Sequence, residues 1–89
     1  MAYDPTNLSA LSYANGFTLW HYKTTDAAGD VDTTGYFNGA AGMMRVGDFI
    51  LANTGVGGAT QSGVFIVTTA TPSSVDVSNL QPFGLSNTD

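Results

Sequence analysis

The run FTLWHYKT, residues 17–24, sets the tightest limit on what this chain can become. It is rich in aromatic and β-favouring residues and is bounded by Gly16, so it reads as a strand. Successive side chains of a strand point to opposite faces. Phe17 and Leu19 therefore share one face, and Trp20 and Tyr22 the other. A strand that is apolar on both faces has to be covered twice, by a second layer of its own chain or by a neighbour. The sequence has 89 residues, which is expected to form a single domain, and a domain of this size buries only about 60–65 % of its unfolded surface. It contains no cysteine, so neither a disulfide nor a thiolate metal site can staple it. Oligomerisation or docking on a larger partner is the expected source of further stability.

Charged residues make up 10 % of the chain, and Lys23 and Arg45 are its only fixed cations against seven acids, all aspartate. Asp suits turns, whereas the absent Glu is the helix former. Thr, Ser, Asn and Gly fill the remaining polar positions, the palette of strands and tight turns. A net charge of −5 with two basic residues argues against nucleic acid, which needs several phosphate-neutralising side chains, and against an anionic membrane surface. No stretch approaches the 18 or so apolar residues of a membrane span. MAYDPTNLSA lacks the basic and apolar regions of a secretory signal, so a chain made in the cytoplasm without an export address is expected.

Asp4-Pro5-Thr6 has the form of a helix start, with Asp as N-cap and Pro in the first turn, and Asn15-Gly16 the form of a helix end. The spacing of Leu8, Leu11 and Ala14 predicts a short helix or helical turns between them, centred on Leu8 to Tyr13. After the strand at 17–24, TDAAGDVDTT is a loop. Residues 36–46 predict a short helix or 3₁₀ turn, with Phe37, Ala41 and Met44 on one side and Gly39 and Gly42 limiting its length. Further strands are predicted at 48–53, 63–69 and 75–77, the last two forming a hairpin across Thr71-Pro72-Ser73-Ser74. The tail LQPFGLSNTD is expected to be extended. No internal repeat or domain boundary is visible. The fold class is mainly β: a small sandwich or barrel of four or more strands with a short N-terminal helix or helical turns.

Four groups of residues could carry chemistry. Asp26, Asp30 and Asp32 lie within one loop and offer hard oxygens to a cation, but their spacing is not that of an EF-hand, and Asp side chains bonding their own backbone in a solvated turn account for them. His21 stands between Trp20 and Tyr22 without a G-x-S-x-G elbow or other nucleophile signature, so a packed or interface histidine with one ring nitrogen hydrogen-bonded is expected. The aromatic band Phe17, Trp20, Tyr22, Tyr36 and Phe37 suits a core or a protein interface better than a base-stacking platform, given the shortage of positive charge; Phe17, Trp20, Tyr22 and Phe37 are the candidate interface residues. TGVGGATQSG lacks the lysine and spacing of a phosphate loop and reads as a flexible connection between strands. In MMRVGDFILANTG, Gly47 supplies a left-handed turn conformation and Asp48 caps it before a strand, with Arg45 and Asp48 as a local charge pair. No catalytic, cofactor or metal residues are assigned, and an enzyme is not expected.

Three segments, AYDPTNLSALSYANGFTLWHY, GYFNGAAGMMRVGDFILANT and GVFIVTTATPSSVDVSNL, resemble small virion structural proteins of tailed bacteriophages encoded near the major capsid gene. The resemblance covers most of the chain, and its motifs are structural. It implies a head decoration (cement) protein on the outer capsid surface, with the major capsid protein as partner and a homotrimer matching the three-fold positions of the lattice. The alternatives within that frame are the base of a head or tail fibre, or a carbohydrate-binding module using the aromatic band.

Overall fold

The computed structural model describes residues 3–84. It is mainly β: six strands, β1 (Leu8–Ala14), β2 (Phe17–Lys23), β3 (Phe49–Thr54), β4 (Gln61–Ala70), β5 (Val75–Val77) and β6 (Gln81–Pro82), with one helical turn, α1 (Ala28–Val31), and 3₁₀ turns at Pro5–Asn7 and Asn38–Ala40. The strands form a mixed sheet in the order β1-β2-β3-β4-β5, and β6 also pairs with β4. All pairings are antiparallel except β2 with β3, where Leu19 to Lys23 run in parallel register with Phe49 to Asn53. One edge of β4 serves β3. The other is shared by β5 and β6, through Ser78 N–H to Ile66 O and Phe83 N–H to Ser62 O, both 2.8 Å.

The N-terminal segment departs from the helix its apolar spacing predicts. The capping signal itself is real: Asp4 accepts hydrogen bonds from Thr6 N–H (3.0 Å) and Thr6 Oγ1 (2.8 Å) above Pro5. The turn it starts ends at once, because Leu8 is already extended (φ −102°, ψ 131°) and opens β1. The cause lies at the other end. Asn15 and Gly16 both have positive φ, 55° and 75°. That is the two-residue turn whose twist matches a right-twisted hairpin, and Asn-Gly is its strongest signature. Asn-Gly here joins two strands, and pairing with β2 satisfies the backbone of residues 8–14 better than an isolated short helix could. A bulge at Leu11 interrupts the register between Ala10 and Ser12.

Parallel pairing of β2 with β3 demands a long crossover, and residues 24–48 supply it. This connection lies on one face of the sheet and brings down Val31, Phe37, Ala40 and Met44, all nearly or fully buried. Beneath them stand Trp20 and Tyr22 from β2, Ile50 and Ala52 from β3, Phe65 and Val67 from β4, and Val75 and Val77 from β5. The second layer is therefore the crossover itself, rather than the second sheet of a sandwich or the far wall of a barrel. The glycine-rich connection between β3 and β4 is pinned at its root, where Gly55 N–H meets Asp26 O (2.7 Å) and Val56 N–H meets Thr24 O (3.0 Å).

Candidate interaction face

Side chains that alternate with the core positions project from the opposite face of the sheet. The registers line them up in rows: Leu19 beside Phe49 and Ile66, His21 beside Leu51 and Val64, and Lys23 beside Asn53 and Ser62. Phe17, one step before Leu19, meets Phe49 edge to face with ring centroids 5.1 Å apart. The crossover residues Val31, Phe37, Ala40 and Met44 pack with the alternate strand positions, on the other side of the sheet. Phe17 and Phe49 are 36 % and 42 % exposed, while Leu19, Leu51, Val64 and Ile66 are half-buried by their neighbours in the sheet. The result is an apolar centre of six side chains. Across β1 it is continued by small residues, Ser9, Ser12 and Ala14, which pair with His21, Leu19 and Phe17.

A polar corner borders the centre. Ser62 Oγ donates to Asn53 Oδ1 (2.5 Å), and Asn53 Nδ2 lies 3.2 Å from His21 Nε2. The amide nitrogen is a donor, so Nε2 accepts and the neutral ring carries its proton on Nδ1. His21 thus has the single ring-nitrogen bond expected of it. The arrangement is the reverse of a nucleophile–base pair: the amide stands between ring and hydroxyl, and the serine proton points at the asparagine.

Two buried polar clusters hold the covered face. Asp48, 1 % exposed, accepts from Thr18 N–H (3.1 Å), Trp20 Nε1 (3.2 Å) and Arg45 N–H (3.1 Å). Gly47 does occupy a left-handed turn, φ 92°, closed by Asp48 N–H to Arg45 O (3.0 Å). The expected charge pair is not what Asp48 makes, however, since the bond from Arg45 comes from its backbone N–H and the arginine is exposed. A buried carboxylate needs several donors, and this one ties the start of β2 to the entry of β3.

The second cluster is built on Tyr22, whose hydroxyl receives Asp4 N–H (3.0 Å) and lies 2.8 Å from that of Tyr36. Tyr36 in turn donates to Asp26 Oδ2 at 2.7 Å. Phe37 packs against Tyr3, Tyr22 and Tyr36 with centroids 5.0–5.6 Å apart. Burial, then the bonds to Tyr22 and Asp26, push the Tyr36 hydroxyl far above the ordinary tyrosine range. Burial, then the neighbouring Tyr22 and Asp4, raise that of Tyr3. The Tyr3 hydroxyl is buried without a hydrogen-bond partner.

These placements redistribute the residues singled out in the sequence. Of the four candidate interface residues, Phe17 alone lies on the open face. Trp20 (8 % exposed), Tyr22 (0 %) and Phe37 (1 %) are core residues, so their rings are unavailable to a partner. The physical reason is alternation: Trp20 and Tyr22 occupy the face that the crossover covers, and Phe37 belongs to the crossover. The three loop aspartates are also separated. Asp26 is buried against Tyr36 instead of solvated, Asp30 is exposed on α1, and Asp32 is half-buried just after it. No group of three His, Cys, Asp or Glu side chains able to hold a metal ion occurs among the described residues. The aromatic band is divided between the two faces and offers no single platform. Sequence reasoning passed over Leu19, Phe49, Leu51, Val64 and Ile66 as surface anchors. The signal was present in FILA and in the VFIV of GVFIV, which are apolar at successive positions.

No family model matches the sequence, and neither a curated protein nor a solved structure matches it.

Proposed function

We propose that this protein is a structural component of a phage virion without catalytic activity, a decoration protein that docks on the outer surface of the head as a homo-oligomer and stabilises it. The observation that supports its assembly role is the uncovered apolar face centred on Leu19, Phe49, Leu51, Val64 and Ile66. Lone monomers seldom expose contiguous apolar area beyond a few hundred Å², and a building block whose second cover comes from its neighbours needs such a face. The phage and capsid parts of the reading rest on the resemblance of the three segments. The non-catalytic part is supported by His21, whose accepting nitrogen is taken up by an amide rather than facing a hydroxyl. A sugar-binding module is less well supported, because Trp20 and Tyr22 are sealed in the core.

The test is binding of the purified protein to undecorated capsids, with quantitative mass spectrometry of complete virions. Saturable binding to the capsid exterior and copies in the hundreds per particle are expected. About a dozen copies would assign the chain to a vertex or fibre base instead, and absence from virions would discard the reading.

A further inference from the structure

We infer that the open sheet face is a self-complementary surface on which a second copy of this chain packs about a two-fold axis. The inference rests on the same face as the assembly role proposed above and names its first partner. The chemistry of the face favours its own copy. Its centre carries Phe17, Leu19, Phe49, Leu51, Val64 and Ile66 and no fixed charge. Its margins are Ser9, Ser12, Asn53 and Ser62, short polar side chains of the kind found around interface centres.

Among the described strand residues, two fixed charges project to this side, at opposite corners and with opposite signs. Lys23 ends β2 in the row of Asn53 and Ser62. Asp76 lies on β5 between the core-facing Val75 and Val77, so it projects to the open side, and it pairs with Thr69 at the far end of β4. Turning one sheet over onto another about a two-fold axis in the interface, set across that diagonal, brings Lys23 of each copy to the other's Asp76. The pair forms twice by symmetry. Such rim pairs contribute little to affinity and serve to set the crossing angle.

The area agrees with a dimer of modest affinity. Strands β1 to β4, at about 4.8 Å each, and residues 17–23, at about 3.3 Å each, span a patch about 20 Å on a side. Two such patches come to about 900 Å², below the roughly 1,200–2,000 Å² of standard interfaces and in the range of weak, transient association. A sheet face packed on itself is isologous and closes at two copies, whereas the three-fold ring expected from lattice symmetry needs heterologous contacts.

Sedimentation equilibrium of the full chain across micromolar concentrations tests this. A monomer–dimer equilibrium is expected for the wild type. Leu51→Asp, at the centre, should weaken it by about a hundredfold or more, as loss of a desolvated anchor does. Lys23→Asp and Asp76→Lys should each weaken it by about five- to tenfold, with the double variant restored to within about twofold of wild type. Far-ultraviolet circular dichroism and Trp20 fluorescence confirm that each variant is folded, and the charge swap, at exposed Lys23 and half-buried Asp76, keeps the test decisive should Leu51→Asp not fold. A strict monomer, a trimer, or a double variant no better than the single ones overturns the two-fold pairing. Capsid binding is scored separately: a monomer that coats capsids removes the dimer and leaves the decoration role standing, and a dimer that ignores capsids retains the pairing and removes that role.

Discussion

Both faces of the sheet are built from the same kinds of side chain, yet Trp20, Tyr22, Ile50, Phe65 and Val67 are sealed while Leu19, Phe49, Leu51, Val64 and Ile66, one residue away along the same strands, remain open. Hydrophobicity does not separate the two sets. The separation comes from the parallel pairing of β2 and β3, which obliges residues 24–48 to cross the sheet and lets them cross on one side only. Polar chemistry follows the cover. The sealed face carries hydroxyls and carboxylates in networks, centred on Asp48 and on Tyr22, Tyr36 and Asp26, that desolvation makes costly to break. The open face carries one chain of bonds, through His21, Asn53 and Ser62, whose members can still reach water.

The contrast is sharpest in paired truncations. Phe65→Ala, at a fully buried position, should cost about 3–5 kcal/mol in urea unfolding. That is a large part of the roughly 5–15 kcal/mol available to a small domain. Leu51→Ala, half-buried on the other face, should cost the isolated monomer about 1 kcal/mol or less. Equal losses in the monomer would mean that the open face is covered after all.

Asp48→Asn comes next. Of the oxygens that receive Thr18 N–H, Trp20 Nε1 and Arg45 N–H, one becomes an amide nitrogen facing a donor, and the expected cost is about 2–3 kcal/mol. An altered Trp20 emission should accompany it. Gly63→Ala tests the far edge of β4, since a Cβ there would run into the backbone of Gln81 and Pro82. Overpacking by about 1–3 kcal/mol is expected, together with faster hydrogen exchange of Phe83 N–H, which now bonds Ser62 O at 2.8 Å.

Tyr36→Phe removes the hydroxyl between Tyr22 and Asp26 at a cost of about 1 kcal/mol, and it changes the response to alkali. The folded-state value of Tyr36 is raised above the ordinary 10.0, so its contribution is complete below pH 10 and falls as the unfolded chain ionises above it. Denaturation profiles of the wild type should decline more steeply above pH 10 than those of Tyr36→Phe, with Tyr3 supplying the remaining slope. Asp4→Ala should have the smallest effect, confined to the first turn. The Thr6 bonds, side chain first, hold the Asp4 carboxyl below its usual range. Its contribution is therefore present above the ordinary carboxylate value and is lost as pH falls through the lowered one. Exchange of Leu8 N–H, which caps on Pro5 O, reports it.

Much of the local structure was legible in the residues. The strands at 49–54, 61–70 and 75–77 follow from β-branched and aromatic runs between turn residues, and the 75–77 hairpin follows from Thr71-Pro72. The left-handed turn at Gly47 and the cap at Asp4 are where turn chemistry places them. Segment 8–14 was misread because Leu8, Leu11 and Ala14 carry a helical spacing, while Asn15-Gly16 serves equally as a helix stop or a hairpin turn. The partner strand decides between the two.

The sequence by itself determined that strands dominate, that β2 has two apolar faces, and that one chain of this size has material for a single cover. Which face received it was decided in three dimensions. Parallel register between Leu19–Lys23 and Phe49–Asn53 is a long-range pairing. Only that pairing carries Val31, Phe37 and Met44 over Trp20 and Tyr22, and brings donors to the side chains of Asp26 and Asp48. Local residues specify what a side chain can do; the path of the backbone between distant strands settles what it has to meet.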